Sequence, residues 1–549
     1  MERFIKKNKT KIFQEEISMK IKFKSLMSIV LTIAMVTGLT ACSGSNGNEP
    51  GSNQNVETTK SSASGETGNG EQGSSAKDTL NVGYNYDQFT TPWRSSSGSA
   101  ISLANLYDTL FAYDENMKVV PKLAESYDIS QDGLEYTIKI KEGVLFHNGE
   151  ELTAEDVAWS LNYSRENGDA GSFMLGNFEH AEAVDNYTVK MTLSAPFAPF
   201  LNCLCARAAY IADKSHFEAI GGTIDAYEAD PIGSGPYKLA GREVGASTTL
   251  EAFEDYWDGK AKIKNICIKY ITDANTQMIA LESGEIDAMI TPQLTSLVML
   301  NDDNIEWIWG NSASRVYATL NVADNRVTSD LNLRKAIQSL VNRQDILDAV
   351  NEGYGEIADI CIPTGYTARP TDYHVVEENI EKAKEYLEAS SYNGEKLSLV
   401  VASGTSNEKA ANIFQAQCYE LGINVEVNPL DTSTLNEMVN SGEFDIAMQN
   451  GLSSLVDSDL MYGTFGPATT LSRYQYQDEL NEYCEAGRAG KTLEERVDAY
   501  TKLVNLITDE AMEVTLFYDV VTVAYNKNLD GVKIHMLKMF NFKDWCWKL

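Results

Sequence analysis

Residues 397–448 read LSLVVASGTSNEKAANIFQAQCYELGINVEVNPLDTSTLNEMVNSGEFDIAM, and they set the fold class of the chain. Apolar runs rich in Val and Ile alternate here with two segments of helical pattern. The predicted elements are, in order, a strand at Leu397–Val401, a helix at Asn407–Leu421, a strand at Ile423–Val427, a helix at Thr432–Ser441 and a strand at Phe444–Met448. A β-α-β-α-β order requires parallel strands joined by crossover helices, so the sequence predicts an α/β fold.

The segment after the last of these strands is a candidate ligand loop. Ligands of such sheets bind beyond the carboxyl ends of the parallel strands. Gln449–Tyr462 follows one such end and has few helix signals. The candidate ligand contacts in this segment are Gln449, Asn450, Leu452 and Asp457. Asn321 is a further candidate contact outside it.

A second candidate loop, Tyr86–Trp93, follows an alternating strand that begins at Leu80. Aromatic rings in a polar loop suit a cleft that encloses a small organic ligand. Core packing is the alternative explanation for both Tyr86 and Trp93. The two residues are therefore candidate contacts whose role depends on whether they are exposed.

Length and composition limit the class of protein. The chain has 549 residues, of which 43% are hydrophobic and 23% charged, as expected for two or three globular units. Asp and Glu outnumber Lys and Arg by 79 to 45, which gives a net charge of -34. A surface this acidic repels phosphate backbones. Nucleic acid is therefore not expected as a partner.

Residues 1–41 have the pattern of a secretory signal peptide. Lys20, Lys22 and Lys24 precede an apolar run that is too short to span a membrane. Met19 directly precedes the basic part of this segment and is therefore an alternative candidate for the true start of the chain. The segment predicts export from the cytoplasm.

The apolar run ends in the tetrapeptide Leu-Thr-Ala-Cys, which resembles the bacterial lipobox and makes Cys42 the expected lipidation site. The alternative is a plain secreted protein cut near Ala41. Residues 43–77 are almost wholly Ser, Gly, Asn, Thr, Glu and Gln, a composition that cannot bury apolar surface. Residues 42–77 are thus predicted to be a lipidated cysteine with a disordered tether, which holds the folded part near the bilayer.

The sequence has no motif that nominates a catalytic residue. H-E-x-x-H and G-x-S-x-G are absent, and no His/Cys group has zinc spacing. We therefore predict no enzyme activity, no cofactor and no metal site, with a secreted hydrolase that uses a carboxylate pair as an alternative. Seven cysteines follow Cys42 without C-x-x-C spacing, and we expect buried free thiols.

Several segments together resemble the extracytoplasmic solute-binding proteins of ABC transporters, in the oligopeptide/dipeptide/nickel-binding family. They run in order along the chain: Leu106–Phe111, Val120–Tyr127, Tyr136–Gly149, Leu152–Val157, Gly233–Lys238, Tyr256–Lys260, Leu331–Ile337 and Glu381–Leu387. The resemblance implies a periplasmic-binding-protein-like fold with two α/β lobes, an extra subdomain and a hinge. Lobe I would span 78–318 plus 513–549, and lobe II would span 319–512.

The same resemblance implies how the protein works. The lobes would close on a peptide or related small solute, and the closed form would deliver it to membrane permease subunits. The implied protein is a monomer on the outer face of the cell membrane, in the periplasmic space if the cell is Gram-negative, with the bilayer as a partner through acylated Cys42.

One departure from the family pattern affects the ligand. Members often carry Trp after the glycine that corresponds to Gly451, followed by an Asp that pairs with a peptide amino terminus. This chain has Leu452 after the glycine, and Leu455 falls nearest the Asp position. Asp457 and Asp459 are the candidate replacements. A non-peptide ligand (an oligosaccharide, an opine or a chelated metal) and a sensor role therefore remain alternatives.

Overall fold

The computed structural model describes residues 77–94, 100–169, 171–452, 455–467 and 476–548. The predicted signal peptide, the lipidation site at Cys42 and nearly all of the tether lie outside the described residues. No helix within the described ranges has both the length and the apolar character needed to cross a membrane.

The described strands are, in chain order, β1 (Thr79–Tyr84), β2 (Phe111–Tyr113), β3 (Val119–Pro121), β4 (Ala124–Ile129), β5 (Glu135–Ile140), β6 (Phe178–Asp185), β7 (Thr188–Leu193), β8 (Tyr237–Glu243), β9 (Ser247–Ala252), β10 (Asn265–Tyr270), β11 (Ala288–Ile290), β12 (Ile305–Leu320), β13 (Glu356–Ile357), β14 (Leu397–Ala402), β15 (Val425–Leu430), β16 (Ile446–Leu452), β17 (Glu513–Asn526), β18 (Leu529–Asp530) and β19 (Cys546–Trp547).

The described α-helices are, in chain order, α1 (Ala100–Leu106), α2 (Ala154–Asn167), α3 (Gly171–Met174), α4 (Phe200–Cys203), α5 (Lys214–Ala219), α6 (Ile224–Ala229), α7 (Ala274–Glu282), α8 (Leu294–Leu297), α9 (Leu331–Leu340), α10 (Arg343–Asn351), α11 (Ile380–Ala389), α12 (Ser406–Glu420), α13 (Thr432–Ser441), α14 (Leu460–Phe465), α15 (Gln477–Ala489) and α16 (Leu493–Asp509).

Most strands join one mixed sheet in the order β15, β14, β16, β12, β17, β11, β1, β10, β9 and β8, with β13 added on β17. Strand β14 pairs in parallel with both β15 and β16, so Leu399 lies opposite Val427 on one side and Ile446 on the other. The predicted β-α-β-α-β unit is therefore confirmed. A separate antiparallel sheet has the order β4, β5, β7 and β6.

Strand β16 continues beyond the predicted end at Met448. Gln449 lies opposite Tyr317, and Leu452 lies opposite Ser314, in an antiparallel pairing with β12. The prediction that the loop begins at Gln449 was wrong by four residues, because the backbone of β12 offers hydrogen-bond partners that local sequence does not reveal.

Strands β12 and β17 are the longest in the sheet, with 16 and 14 residues. They pair antiparallel along most of their length, and the register shifts between Asn311 and Arg315. Such irregularities bend a strand and increase its twist. Arg315, which lines the cavity described below, follows directly on this irregularity.

The C-terminal segment packs back onto the first strand. Phe540, Phe542 and Trp545 share a core with Leu80 and Val82, and all five side chains are at most 2% exposed. A different core surrounds β14 and its helices. The seven cysteines of the described residues are all free, as expected, and five of them are buried.

Candidate functional site

A cavity of about 230 Å³ lies between segments that the sequence assigned to different lobes. Phe173, Phe197 and Cys203 line one side of it, and residues that include Asp459, Tyr462 and Arg488 line the other. Ala198 donates its backbone N–H to the carbonyl oxygen of Arg488 at 2.8 Å, so the two sides are in direct contact.

Aromatic rings and one guanidinium group form much of the wall. The Arg488 guanidinium lies 3.5 Å from the ring centroid of Tyr462 and 4.7 Å from that of Phe197. Cations over aromatic faces are attracted by the ring quadrupole, most strongly where water is excluded. Arg488 is therefore held between a ring from each side of the cavity.

Asp459 is the acidic group of the cavity wall and precedes helix α14 directly. Its side chain is only 6% exposed. Arg488 Nη2 donates to Oδ2 at 3.2 Å, and Arg488 Nε lies 2.9 Å from Oδ1. Burial, with the nearby Asp457 charge, raises the pKa of Asp459 to about 7, although Arg488 opposes the shift. The carboxyl group therefore changes charge near neutral pH.

Asp457 was the predicted acidic contact, but its carboxylate is already used inside the protein. It is fully buried, and Arg496 Nη1 donates to Oδ2 at 3.1 Å. Asn202 Nδ2 also donates to Oδ2, and the Asp459 backbone N–H donates to Oδ1. Asp457 does not line the cavity. Of the two candidate replacements, the structure places Asp459 in the wall.

Arg315 is a cavity residue that sequence reasoning missed. It lies on β12, is 1% exposed and donates from Nε and Nη2 to the two carboxylate oxygens of Glu513, at 3.2 and 3.0 Å. Burial by itself lowers the pKa of a guanidinium, but the Glu513 charge raises the pKa of Arg315 above its usual value. The available signal was a single basic residue in a strand, while its partner lies 198 residues away.

The predicted contacts on β16 do not meet at the cavity. Gln449 and the exposed Asn450 precede Gly451, and only Gly451 is among the lining residues. The side chain of Leu452 lies outside the described residues. Asn321 is fully buried and donates from Nδ2 to the carbonyl oxygen of Phe444 at 2.9 Å, so it supports a connecting segment instead.

Neither aromatic residue of the first predicted loop lines the cavity. Tyr86 is 47% exposed and lies beside Tyr84, with 5.5 Å between the ring centroids. Trp93 is 1% exposed and packs against rings that include Trp159, Tyr163 and Phe217. Core packing, the stated alternative, describes Trp93, because an indole surrounded by other rings has no surface left for a ligand.

The α/β fold, with a cavity between two parts of the chain, is that of the two-lobed binding proteins. The sequence profile of the bacterial extracellular solute-binding proteins, family 5 Middle, matches residues 118–472. The chain belongs to this family. It is an extracytoplasmic solute-binding protein that binds a small molecule or peptide and works with ABC permeases.

Named relatives span most of the chain. The glutathione-binding protein GsiB of Escherichia coli is 26% identical over 463 residues, which covers 80% of this chain and 88% of GsiB. The oligopeptide-binding protein AppA of Bacillus subtilis is 27% identical over 561 residues, which covers 96% and 99%. The crystal structure of the ABC transporter substrate-binding protein CtaP of Listeria monocytogenes superposes with a TM-score of 0.79 at 26% identity, covering 86% of this chain and all of CtaP. These relatives are substrate-binding components of transporters.

Proposed function

We propose that this chain captures a small solute with a protonated amine, such as a short peptide, in the cavity beside Asp459, and delivers it to an ABC permease. The proposal rests on the surroundings of one atom, the Oδ1 oxygen of Asp459. Asp459 Oδ1 is buried in the cavity wall, and although Arg488 Nε lies 2.9 Å from it as an ion-pair partner, no described residue is placed to donate it a well-directed hydrogen bond. A buried carboxylate oxygen with spare capacity favours a cationic donor.

The size of the cavity limits the solute. A cavity of about 150 Å³ holds a molecule as large as benzene. The observed volume of about 230 Å³ therefore suits a solute of one or two residues better than a long peptide. Tyr462 and Phe197 supply apolar contact area for such a solute.

Calorimetric titration tests this proposal with three probes: the dipeptide Ala-Ala, its C-terminal amide and N-acetyl-Ala-Ala. We expect Ala-Ala and its amide to bind and the acetylated peptide, which lacks the amine, to bind at least about tenfold more weakly. Equal binding of Ala-Ala and N-acetyl-Ala-Ala would remove the amine from the proposal. Mass spectrometry of small molecules released from the purified protein extends the same test to solutes outside this panel.

The proposal includes the arrangement of the whole chain. Lobe I is assigned to 78–318 plus 513–549 and lobe II to 319–512, with β12 and β17 as the segments that bend. Cys42 is acylated and holds a monomer on the outer face of the membrane. The irregular pairing after Asn311 and the Ala198–Arg488 contact support a hinge and a closed form. If small-angle X-ray scattering shows the same size with and without a bound solute, the hinge assignment fails.

A further inference from the structure

Phe173 is a large apolar side chain that borders the cavity and is still in contact with solvent. It is 71% exposed, yet it lines the cavity together with Phe197 and Tyr462. Single exposed apolar side chains are common on protein surfaces, so the exposure alone indicates no function. A ring that lines the cavity and is also mostly in solvent lies where the cavity opens to the outside.

The ring reaches across this opening to the other side of the cavity. Phe173 belongs to α3, whereas Gly463, which also lines the cavity, belongs to α14. A Cβ atom at position 463 would lie 3.8 Å from Phe173 Cζ, the outer tip of the ring. Because Gly463 has no side chain, the ring tip lies close to the α14 backbone and covers the gap between the two elements.

The residues that follow Phe173 anchor the turn that carries it. Met174 and Leu175 are 5% and 1% exposed and belong to one hydrophobic core. The Leu175 backbone N–H donates to the carbonyl oxygen of Gly171 at 3.0 Å, which closes the turn around Phe173. Burial of the next two side chains therefore holds the turn in place, and the Phe173 ring is presented outward.

Two glycines let this turn pack tightly against its neighbours. A Cβ atom at Gly171 would lie 1.7 Å from the Ser164 carbonyl oxygen on α2, and one at Gly176 would lie 2.3 Å from Phe197 Cε1. Gly176 also has a φ of +58°, a conformation that favours glycine. The turn is thus packed between α2 and a ring of the cavity wall, which keeps Phe173 over the opening.

We propose that the Phe173 ring limits the length of the solute by covering the mouth of the cavity. A peptide of two residues fits behind the ring, whereas the later residues of a longer peptide have to pass through the space that the ring occupies. This inference rests on the proposed function and deepens it, because it names the side chain that selects solutes by length. Phe173 is then a specificity-determining residue for short solutes.

Three variants test this role. Phe173→Ala removes the ring, and Phe173→Tyr keeps a ring of nearly the same size. Tyr419→Ala is the matched control, because Tyr419 is 77% exposed on α12 and does not line the cavity. All three changes are at mostly exposed side chains, which usually matter little for stability, and thermal unfolding shows whether each variant is folded.

Calorimetric titration with Ala-Ala and with tetra-alanine measures the limit as the ratio of their dissociation constants. We expect the wild type to bind tetra-alanine at least about tenfold more weakly than Ala-Ala. In Phe173→Ala the two peptides bind about equally, since the later residues can leave through the uncovered mouth. Phe173→Tyr and Tyr419→Ala keep the wild-type ratio. The wild-type ratio in Phe173→Ala would overturn the inference.

The outcomes separate this inference from the proposed function. If the wild type binds Ala-Ala and tetra-alanine equally, the length limit is overturned while amine capture stands. If neither peptide binds, capture of short peptides fails, and the accessibility of a cavity thiol decides whether Phe173 covers the mouth.

Cys203 supplies this thiol, since it is fully buried and lines the cavity. The probe is the bulky thiol reagent N-phenylmaleimide, and mass spectrometry of the labelled peptide distinguishes Cys203 from Cys205, which does not line the cavity. We expect Cys203 to be labelled severalfold faster in Phe173→Ala than in the wild type, and at the wild-type rate in Tyr419→Ala. Equal rates in all three proteins, or the same acceleration in both variants, overturn the inference.

Discussion

Asp457 and Arg496 form a buried ion pair beside the cavity, with 3.1 Å between Oδ2 and Nη1. Both side chains are at most 6% exposed. The pairing removes Asp457 from the groups that a solute can reach and leaves Asp459, two residues along the chain, as the acid of the cavity wall.

Replacing Asp457 by Ala is expected to lower the free energy of unfolding by roughly 3–5 kcal/mol, since it leaves the buried Arg496 charge without its partner. Denaturant unfolding measures the change. Asp498→Ala is the control, because Asp498 forms an exposed pair with Lys502 on the same helix and should matter little. Equal losses in the two variants would contradict the assignment of Asp457 as a structural residue.

The stability of the protein should depend on the charge of Asp459. Its pKa is about 7 in the folded protein, above the value of 3.8 for a free side chain, so the folded state holds the proton more tightly. Stability is then lost as the pH rises from about 4 to about 7, by at most about 1.4 kcal/mol per pH unit, and changes no further above that range. Asp459→Asn has no such proton. The stability difference between the variant and the wild type, from denaturant unfolding, should grow over this range, and a constant difference would refute the raised pKa.

Binding of Ala-Ala should weaken in acid for the same reason. An amine pairs with the ionised form of Asp459, and the fraction ionised falls as the pH drops below about 7. We expect the dissociation constant from titration calorimetry to rise by about fivefold between pH 7 and pH 6, as the ionised fraction of Asp459 falls. Asp459→Asn should bind weakly at both values. A wild-type affinity that does not vary with pH would show that Asp459 does not pair with the amine of the solute.

Truncation of Trp93 should lower the stability of the protein far more than truncation of Tyr86. Trp93→Ala empties a site in a packed aromatic core, so it should reduce the free energy of unfolding by about 3–5 kcal/mol. Tyr86→Ala removes a half-exposed ring and should change stability much less. Neither variant, when folded, should alter the affinity for Ala-Ala. Loss of binding in folded Trp93→Phe would return Trp93 to the list of ligand contacts.

Cys42→Ser should release the protein from the membrane. Acyl chains on the cysteine would move the wild type into the detergent phase of a detergent–water partition, whereas the unmodified variant would stay in the aqueous phase. Mass spectrometry of the N-terminal peptide identifies the attached group. A wild-type protein that begins near Ser43 without lipid would instead support cleavage as a plain secreted protein.

Much of the α/β architecture could be predicted because its signals are local. The helix at Thr432–Ser441 has the bounds that its pattern predicted, and the strand at Leu397 extends one residue further than expected. Apolar periodicity is set by near neighbours in the chain, so it is visible without any knowledge of distant contacts. Within the predicted ligand loop Gln449–Tyr462, four residues line the cavity: Gly451, Leu455, Asp459 and Tyr462. That this loop binds a ligand stays a prediction.

The individual site residues could not be predicted from local sequence signals. Asp457 and Asp459 have the same side chain in the same segment, and nothing local distinguishes them. Arg496 lies 39 residues after Asp457 and Arg488 lies 29 residues after Asp459, so their roles depend on how two later helices pack. Trp93 became a core residue for a comparable reason, because its neighbours Trp159 and Phe217 come from other elements.

The order of residues was thus sufficient for the parallel strand unit and for the acidic net charge, since each depends on composition or on neighbours a few positions away. Only the folded structure determines which charges are neutralised inside the protein and which line the cavity. A buried charge is stabilised by whichever partner the packed chain brings within a few ångströms. For Arg315 that partner is Glu513, which lies 198 residues away on another strand.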